Sequence, residues 1–190
     1  MTHPAVNSLA TYGLFAAWAL HDAEELATGP RWIRENLPVL RERFPDAPES
    51  LWGLMESVDE REFAVAVGAM ATIVGAAAVA GRRSGGRSGF YQGALGGFGL
   101  HGLVHLGQAA AFRGYTPDSA TSALLVVPFT LWARGRLRRA GVLRPTRPRD
   151  VLTGLATAAA ATVVSHAVAR GLTGAPPFLN TFMRGRTLRT

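Results

Sequence analysis

Residues 63–80, FAVAVGAMATIVGAAAVA, carry no charge over 18 consecutive positions. A run of that length and polarity reads as a helix that crosses a membrane. Further apolar runs lie at 6–28, 90–112, 117–133 and 151–169, and the first would reach about 34 Å as a helix. The expected fold class is all-α: an integral membrane helical bundle of about five transmembrane helices, forming a single membrane domain over 1–190.

Charge gathers between these runs. All 20 basic residues are arginine, and the net charge is +7. A basic excess suits nucleic acid or an anionic membrane surface. Here the arginines sit in connectors with no interleaved aromatic stripe, which argues for a topology signal and against a nucleic-acid partner. Three arginines follow the second run and seven follow the fourth. Both connectors, and with them the N-terminus, are therefore expected in the cytoplasm of a multi-pass cell-membrane protein. Arg184, Arg186 and Arg189 in the tail 171–190 run against that orientation. Cysteine is absent, which removes disulfides and thiolate metal ligands. No basic leader with a small-residue cleavage site precedes the first run, so no removable signal peptide is expected.

Local signals place the helix ends. Gly29-Pro30 is expected to stop the first helix. In the connector 30–61, Trp32, Ile33, Leu37, Leu40 and Phe44 alternate with Arg and Glu, as in an amphipathic segment lying on the membrane interface. Asp46 with Glu49, and Ser57 with Glu60, have capping-box spacing ahead of a short helix and of the second span. Gly89, Gly93 and Gly97 recur every four residues, a stripe that would admit a close helix neighbour. Thr116 is expected to cap the fourth helix with Pro117 at its first position. Pro128 is the one candidate break within a span.

The chemistry concentrates in HDAEE, residues 21–25. On a helix His21, Glu24 and Glu25 lie at i, i+3 and i+4 and project from one face. Two adjacent glutamates at the edge of a low-dielectric region do not both ionise cheaply without a cation. His101 and His105 have the spacing by which one helix offers two imidazoles to a metal. Spans one, three and five run in one direction, so Glu24, His105 and His166 fall within about 10 Å of the same membrane face. Together His21, Glu24, Glu25, His101, His105 and His166 form an N/O ligand set suited to one or two ions of Zn, Fe or Mn. The plainer alternatives are a solvated helix end for HDAEE, interhelical hydrogen bonding for His101 and His105, and packing beside Ser165 for His166.

With HDAEE, LHGLVHLGQ (100–108) and YTPDSATSALLVVP (115–128), the chain resembles the HXXEE-motif family of prokaryotic membrane proteins, from the first span through the fourth. The naming motif is His21, Glu24 and Glu25 here, and the HxxxH of a later span is His101 and His105. The resemblance supports the membrane reading and the choice of site residues, and it names no reaction. It also implies an acidic residue within span two. Residues 63–80 have none, so no carboxylate ligand is expected from that helix, nor a fully built two-metal centre.

Three functions are open to these residues. A metal-dependent membrane enzyme would use metal-activated water, with Glu24 or Glu25 as general base, to hydrolyse a lipid-like hydrophobic substrate; iron in the same site would turn the chemistry to oxidation. Five histidines are too few for the His boxes of membrane fatty-acid hydroxylases and desaturases. A metal-free isomerase or cyclase on a terpenoid-like substrate would use protonated Glu24 or Glu25 as acid. A small transporter, or a metal- or lipid-binding membrane protein, would use the cluster for binding alone.

Overall fold

A computed structural model describes residues 6–57, 59–145 and 148–173, and every regular element among them is helical. α1 (Ser8–Arg43) is followed by the short α2 (Glu49–Glu56), then by α3 (Glu60–Arg83) and α4 (Gly89–Phe112). α5 (Ser119–Thr121), a π turn (Ser122–Val126) and α6 (Val127–Arg139) run on without interruption, and α7 (Pro148–Thr173) follows. α1, α4 and α7 all pack on α3, while α4 also contacts α5, the π turn and α6. Among the described residues one helix, Glu60–Arg83, is long and apolar enough to cross a membrane, and only 22% of its apolar window is buried inside the protein. Large apolar side chains on other helices also face outward, among them Leu9, Leu103, Leu124, Leu131 and Val163.

Burial follows helical periodicity. On α1 the buried positions Ala10, Thr11, Leu14, Ala17, Trp18, His21 and Asp22 form one stripe, apolar but for Thr11 until it turns polar at His21 and Asp22. On α4 the stripe runs Tyr91, Leu95, Phe98, Gly102, His105. The apolar parts of both stripes build the core with Val74, Val126, Ala133 and Leu137. Each fully buried side chain of Leu or Val size there contributes about 1.5–3 kcal/mol. Across this core the Tyr91 hydroxyl donates to the Ala10 carbonyl.

Several helix ends differ from the sequence expectation. Gly29-Pro30 does not stop α1, which carries Pro30 and Pro38 inside it as far as Arg43. The connector 30–61 is thus the second half of a helix about 54 Å long, then a turn and α2. A proline inside a helix costs about 3 kcal/mol through its missing donor and a ring clash. Contacts beyond it offset that cost. The Trp32 indole donates to the Tyr115 carbonyl at 3.1 Å and meets Phe112 edge-on at 5.0 Å, and Arg41 pairs with Glu49 and Glu56.

The cap of α3 is Asp59, accepting from the Glu62 N–H at 3.2 Å, in place of Ser57. The fourth apolar run becomes helical at Ser119 behind Asp118, not at Pro117 behind Thr116. Pro128 follows the π turn, in which the Val127 N–H reaches the Ser122 carbonyl. Proline cannot supply the next helical donor, and the wider turn re-registers the chain ahead of it. The tail from 174 onward lies outside the described residues.

The glycines that admit close neighbours are not the expected stripe. A Cβ on Gly93 or Gly97 would meet nothing within 4 Å, whereas one on Gly81 would sit 2.5 Å from the Tyr91 ring and one on Gly102 2.7 Å from Val126. Gly81→Ala gains up to about 1 kcal/mol of helix propensity and loses about 1–3 kcal/mol to overpacking, because Tyr91 is held by its hydrogen bond and cannot retreat. The thermal midpoint in detergent is expected to fall by a few degrees, whereas Gly93→Ala leaves it unchanged or raises it. A Gly81→Ala midpoint at or above wild type would show that the α3–α4 crossing is loose.

Candidate metal centre

Where the two buried stripes turn polar, their imidazoles meet. His21 from α1 lies 5.3 Å from His101 and 5.4 Å from His105, ring centre to ring centre, and one nitrogen from each of the three lies within 4.8 Å of the others. His21 and His105 are buried, while His101 sits on the exposed edge of the cluster. The Nε2 atoms of His101 and His105 are 3.0 Å apart. At that distance the two rings share a hydrogen bond, and since two ligands on a tetrahedral zinc with bonds of about 2.0–2.1 Å stand roughly 3.3 Å apart, an ion could replace the shared proton with little movement.

A carboxylate completes the set, and it comes from outside HDAEE. Asp118 is wholly buried, with Oδ1 3.9 Å from His21 Nδ1 and Oδ2 3.7 Å from His105 Nε2. Neither oxygen has a hydrogen-bond partner, and His21 Nε2 and His105 Nδ1 are also buried without one. Unpartnered buried polar atoms are costly and rare. Imidazoles and a buried carboxylate gathered in one place offer N and O donors suited to a borderline divalent ion.

The backbone explains why Asp118 is available. It occupies the N-cap position of α5 in a left-handed conformation, φ 66°, and its side chain makes no capping bond. Glu24 of α1 supplies that bond instead: its Oε2 accepts from the Thr121 N–H at 2.8 Å and its Oε1 from the Tyr115 hydroxyl at 2.7 Å. Partial burial raises the Tyr115 phenol above its ordinary value, which keeps it a donor. The Thr121 hydroxyl contacts the Asp118 carbonyl at 3.5 Å as donor and His21 Nδ1 at 2.8 Å. With that proton committed, Thr121 accepts from His21 Nδ1–H, which leaves Nε2 as the ring's lone-pair nitrogen.

The remaining residues of the expected set separate. Glu25 lines a cavity of about 780 Å³ together with His105. His166 does not join the three histidines. It lines the same cavity, with Nδ1 3.1 Å from Glu62 Oε1, and Arg170 Nε lies 2.9 Å from that same oxygen. Glu62 stands one residue before the charge-free run 63–80 and is buried, so α3 carries a buried carboxylate, although not one among the three histidines. Sequence reasoning missed Asp118, Glu62 and Arg170 as site residues. In the sequence the first reads only as part of a helix start, and nothing in the spacing singles out the second or the third.

Fold and site together define a helical protein with a His-rich polar centre buried beside a mostly apolar cavity. The chain belongs to the family described as protein of unknown function with HXXEE motif, whose sequence model matches residues 12–133. That range holds His21, Glu24, Glu25, His101, His105 and Asp118, and ends before α7. No curated protein and no solved structure matches the chain.

Proposed function

We propose that this is a multi-pass integral membrane protein in which His21, His101, His105 and Asp118 hold a transition metal, with zinc, iron and manganese all suited to the donor set. It acts as a metal-dependent enzyme on a lipid-like substrate lying in the adjoining cavity, by hydrolysis in preference to oxidation. The observation that carries the reading is the convergence of three imidazoles and an unpartnered buried carboxylate at the wall of an apolar cavity. The membrane assignment is supported by α3, which is apolar yet mostly not buried by other helices, and by the outward Leu and Val side chains.

A divalent ion in such a site supplies a nucleophile near neutral pH by lowering the pKa of bound water. Glu25, on the cavity wall beside His105, is placed to accept the proton released there. Glu24 acts by position. Its bonds to Thr121 and Tyr115 fix the start of α5, and with it the Asp118 carboxylate and the Thr121 hydroxyl that orients His21. Glu25 on the cavity wall and the buried, unpartnered Asp118 carboxyl favour one second reading, in which the pair shares a proton and serves as an acid without metal.

Elemental analysis of the detergent-purified protein tests the choice. About one equivalent of a transition metal is expected in wild type, lost in His21→Ala and in His105→Ala and retained in His166→Ala. Wild type that is metal-free when purified without chelator overturns the metal assignment and favours the carboxyl pair.

A further inference from the structure

We propose that the α3–α4 turn and the end of α6 form one basic rim that binds the anionic headgroups of phospholipids in the leaflet on that side of the protein. The proposal rests on the reading that the chain spans a membrane, and it names the lipid partner of one face. Arg82 and Arg83 end α3 and Arg87 lies in the turn after it, while Arg138 and Arg139 end α6 and Arg144 lies just beyond. All six are exposed.

The two turns are fixed against each other from within. Each closes its helix with a positive-φ glycine, Gly86 at 86° and Gly141 at 66°, and with a bond back across the last turn. The Gly86 N–H reaches the Gly81 carbonyl at 2.8 Å, and the Val142 N–H reaches the Leu137 carbonyl at 3.0 Å. A Cβ on Gly86 would sit 2.7 Å from Leu137, so the first turn rests directly on α6. The buried Gln92 joins them. Its amide donates to the Gly86 carbonyl at 2.7 Å and the Val142 carbonyl at 2.8 Å, and its oxygen accepts from the Arg144 N–H at 2.9 Å. Arginines distant in sequence are thereby held along one edge, despite their mutual repulsion.

Their counter-charge comes from outside the protein. Among the described residues no carboxylate pairs with any of the six, and the chain has no acid between Glu62 and Asp118 or between Asp118 and Asp150. The connector side differs: Arg31, Arg34 and Arg41 each pair with a glutamate there. Apolar side chains then select the source of the anion. Phe90 opens α4 beside the turn, and Leu131 and Trp132 precede Arg138 by about 9–11 Å along α6; all three are exposed. Apolar and aromatic side chains with arginine one headgroup depth beyond them follow the layering of a bilayer. A nucleic acid would meet the same charge but offers no hydrocarbon to Leu131 and Phe90.

Tryptophan quenching by brominated phospholipids tests the rim. Wild type and Trp132→Phe are compared in mixed micelles of a neutral detergent, so that the difference reports the surroundings of Trp132. At about 0.1 M salt, brominated phosphatidylglycerol is expected to bind there about tenfold more tightly than brominated phosphatidylcholine, and to lose that preference at about 1 M. Combining Arg87→Gln, Arg138→Gln, Arg139→Gln and Arg144→Gln should bring the ratio to about one. The same four positions changed to Lys should keep most of the preference, and this variant decides the matter if the glutamine variant fails to fold. A preference that the glutamine variant retains overturns the proposal. So does its loss to inorganic phosphate or to a short DNA duplex at matched ionic strength, which would assign the rim to a soluble anion or to nucleic acid. Equal quenching by the two lipids sinks the rim alone. Quenching by neither, from a protein that stays soluble when detergent is withdrawn, removes the membrane reading and the rim together.

Discussion

Asp118→Asn is expected to strip the metal from purified protein as completely as His21→Ala does, although Asp118 lies outside the motif that names the family. The substitution keeps the shape of the side chain and removes its charge. It also turns an amide donor toward the His105 nitrogen whose lone pair is needed. Asp118 has no donor on either oxygen and stands 3.7 and 3.9 Å from nitrogens of His105 and His21. Glu24→Gln is expected to behave differently. Both Glu24 oxygens are occupied by Thr121 and Tyr115, so the neutral amide loosens the start of α5 and lowers metal affinity by about 10–100-fold, the usual range for residues that only orient ligands. At saturating metal this variant still loads. The check is metal content against added zinc or iron for both variants at matched folded fraction. If Glu24→Gln strips the site and Asp118→Asn loads normally, the ligand carboxylate belongs to the motif and the assignment of Asp118 is wrong.

Glu62→Gln is the substitution expected to cost the most stability. It takes the Glu62 carboxylate away from the buried Arg170 guanidinium that pairs with it, and breaking one partner of a buried pair costs about 3–5 kcal/mol. At roughly 2–4 °C per kcal/mol for a chain of this size, the thermal midpoint should fall by about 6–20 °C. The double variant Glu62→Leu with Arg170→Leu should recover most of that loss, because no charge is then stranded. Thermal unfolding in one detergent compares the three proteins. A double variant as unstable as the single would mean that α7 is held to α3 by this pair as such, whatever its charge.

The convergence of His21, His101 and His105 was legible because it rests on period alone. Each of the two buried histidines continues a buried stripe at helical spacing, and two helices with such stripes must bring the polar ends together when the apolar parts pack. The carboxylate was not legible. Adjacency in HDAEE pointed to Glu24, whereas the folded chain exchanges roles: Glu24 caps α5 and the residue at the cap position turns inward. That exchange depends on a left-handed φ at Asp118, and a non-glycine residue in this conformation leaves no mark in a hydropathy pattern. Pro30 misled for a related reason. A proline lowers local helix propensity, but Trp32 and Arg41 make contacts on the far side that sequence periodicity places on no particular partner. His166 lines the same cavity as His105 yet meets Glu62 and not the three histidines, and Glu62 escapes notice because it falls one residue short of the apolar run 63–80.

The π turn between Thr121 and Val127 has a geometrical effect on the whole segment. An α-helix advances about 100° per residue, so one extra residue in a turn rotates everything after it by about that angle relative to everything before. The half of the segment that carries Thr121 meets the histidines, and the half that carries Ala133 and Leu137 meets the apolar core. Their angular phases are set separately. The core can be repacked along α6 without re-aiming Thr121 at His21, and the polar centre can be adjusted along α5 without twisting Leu137 out of its place.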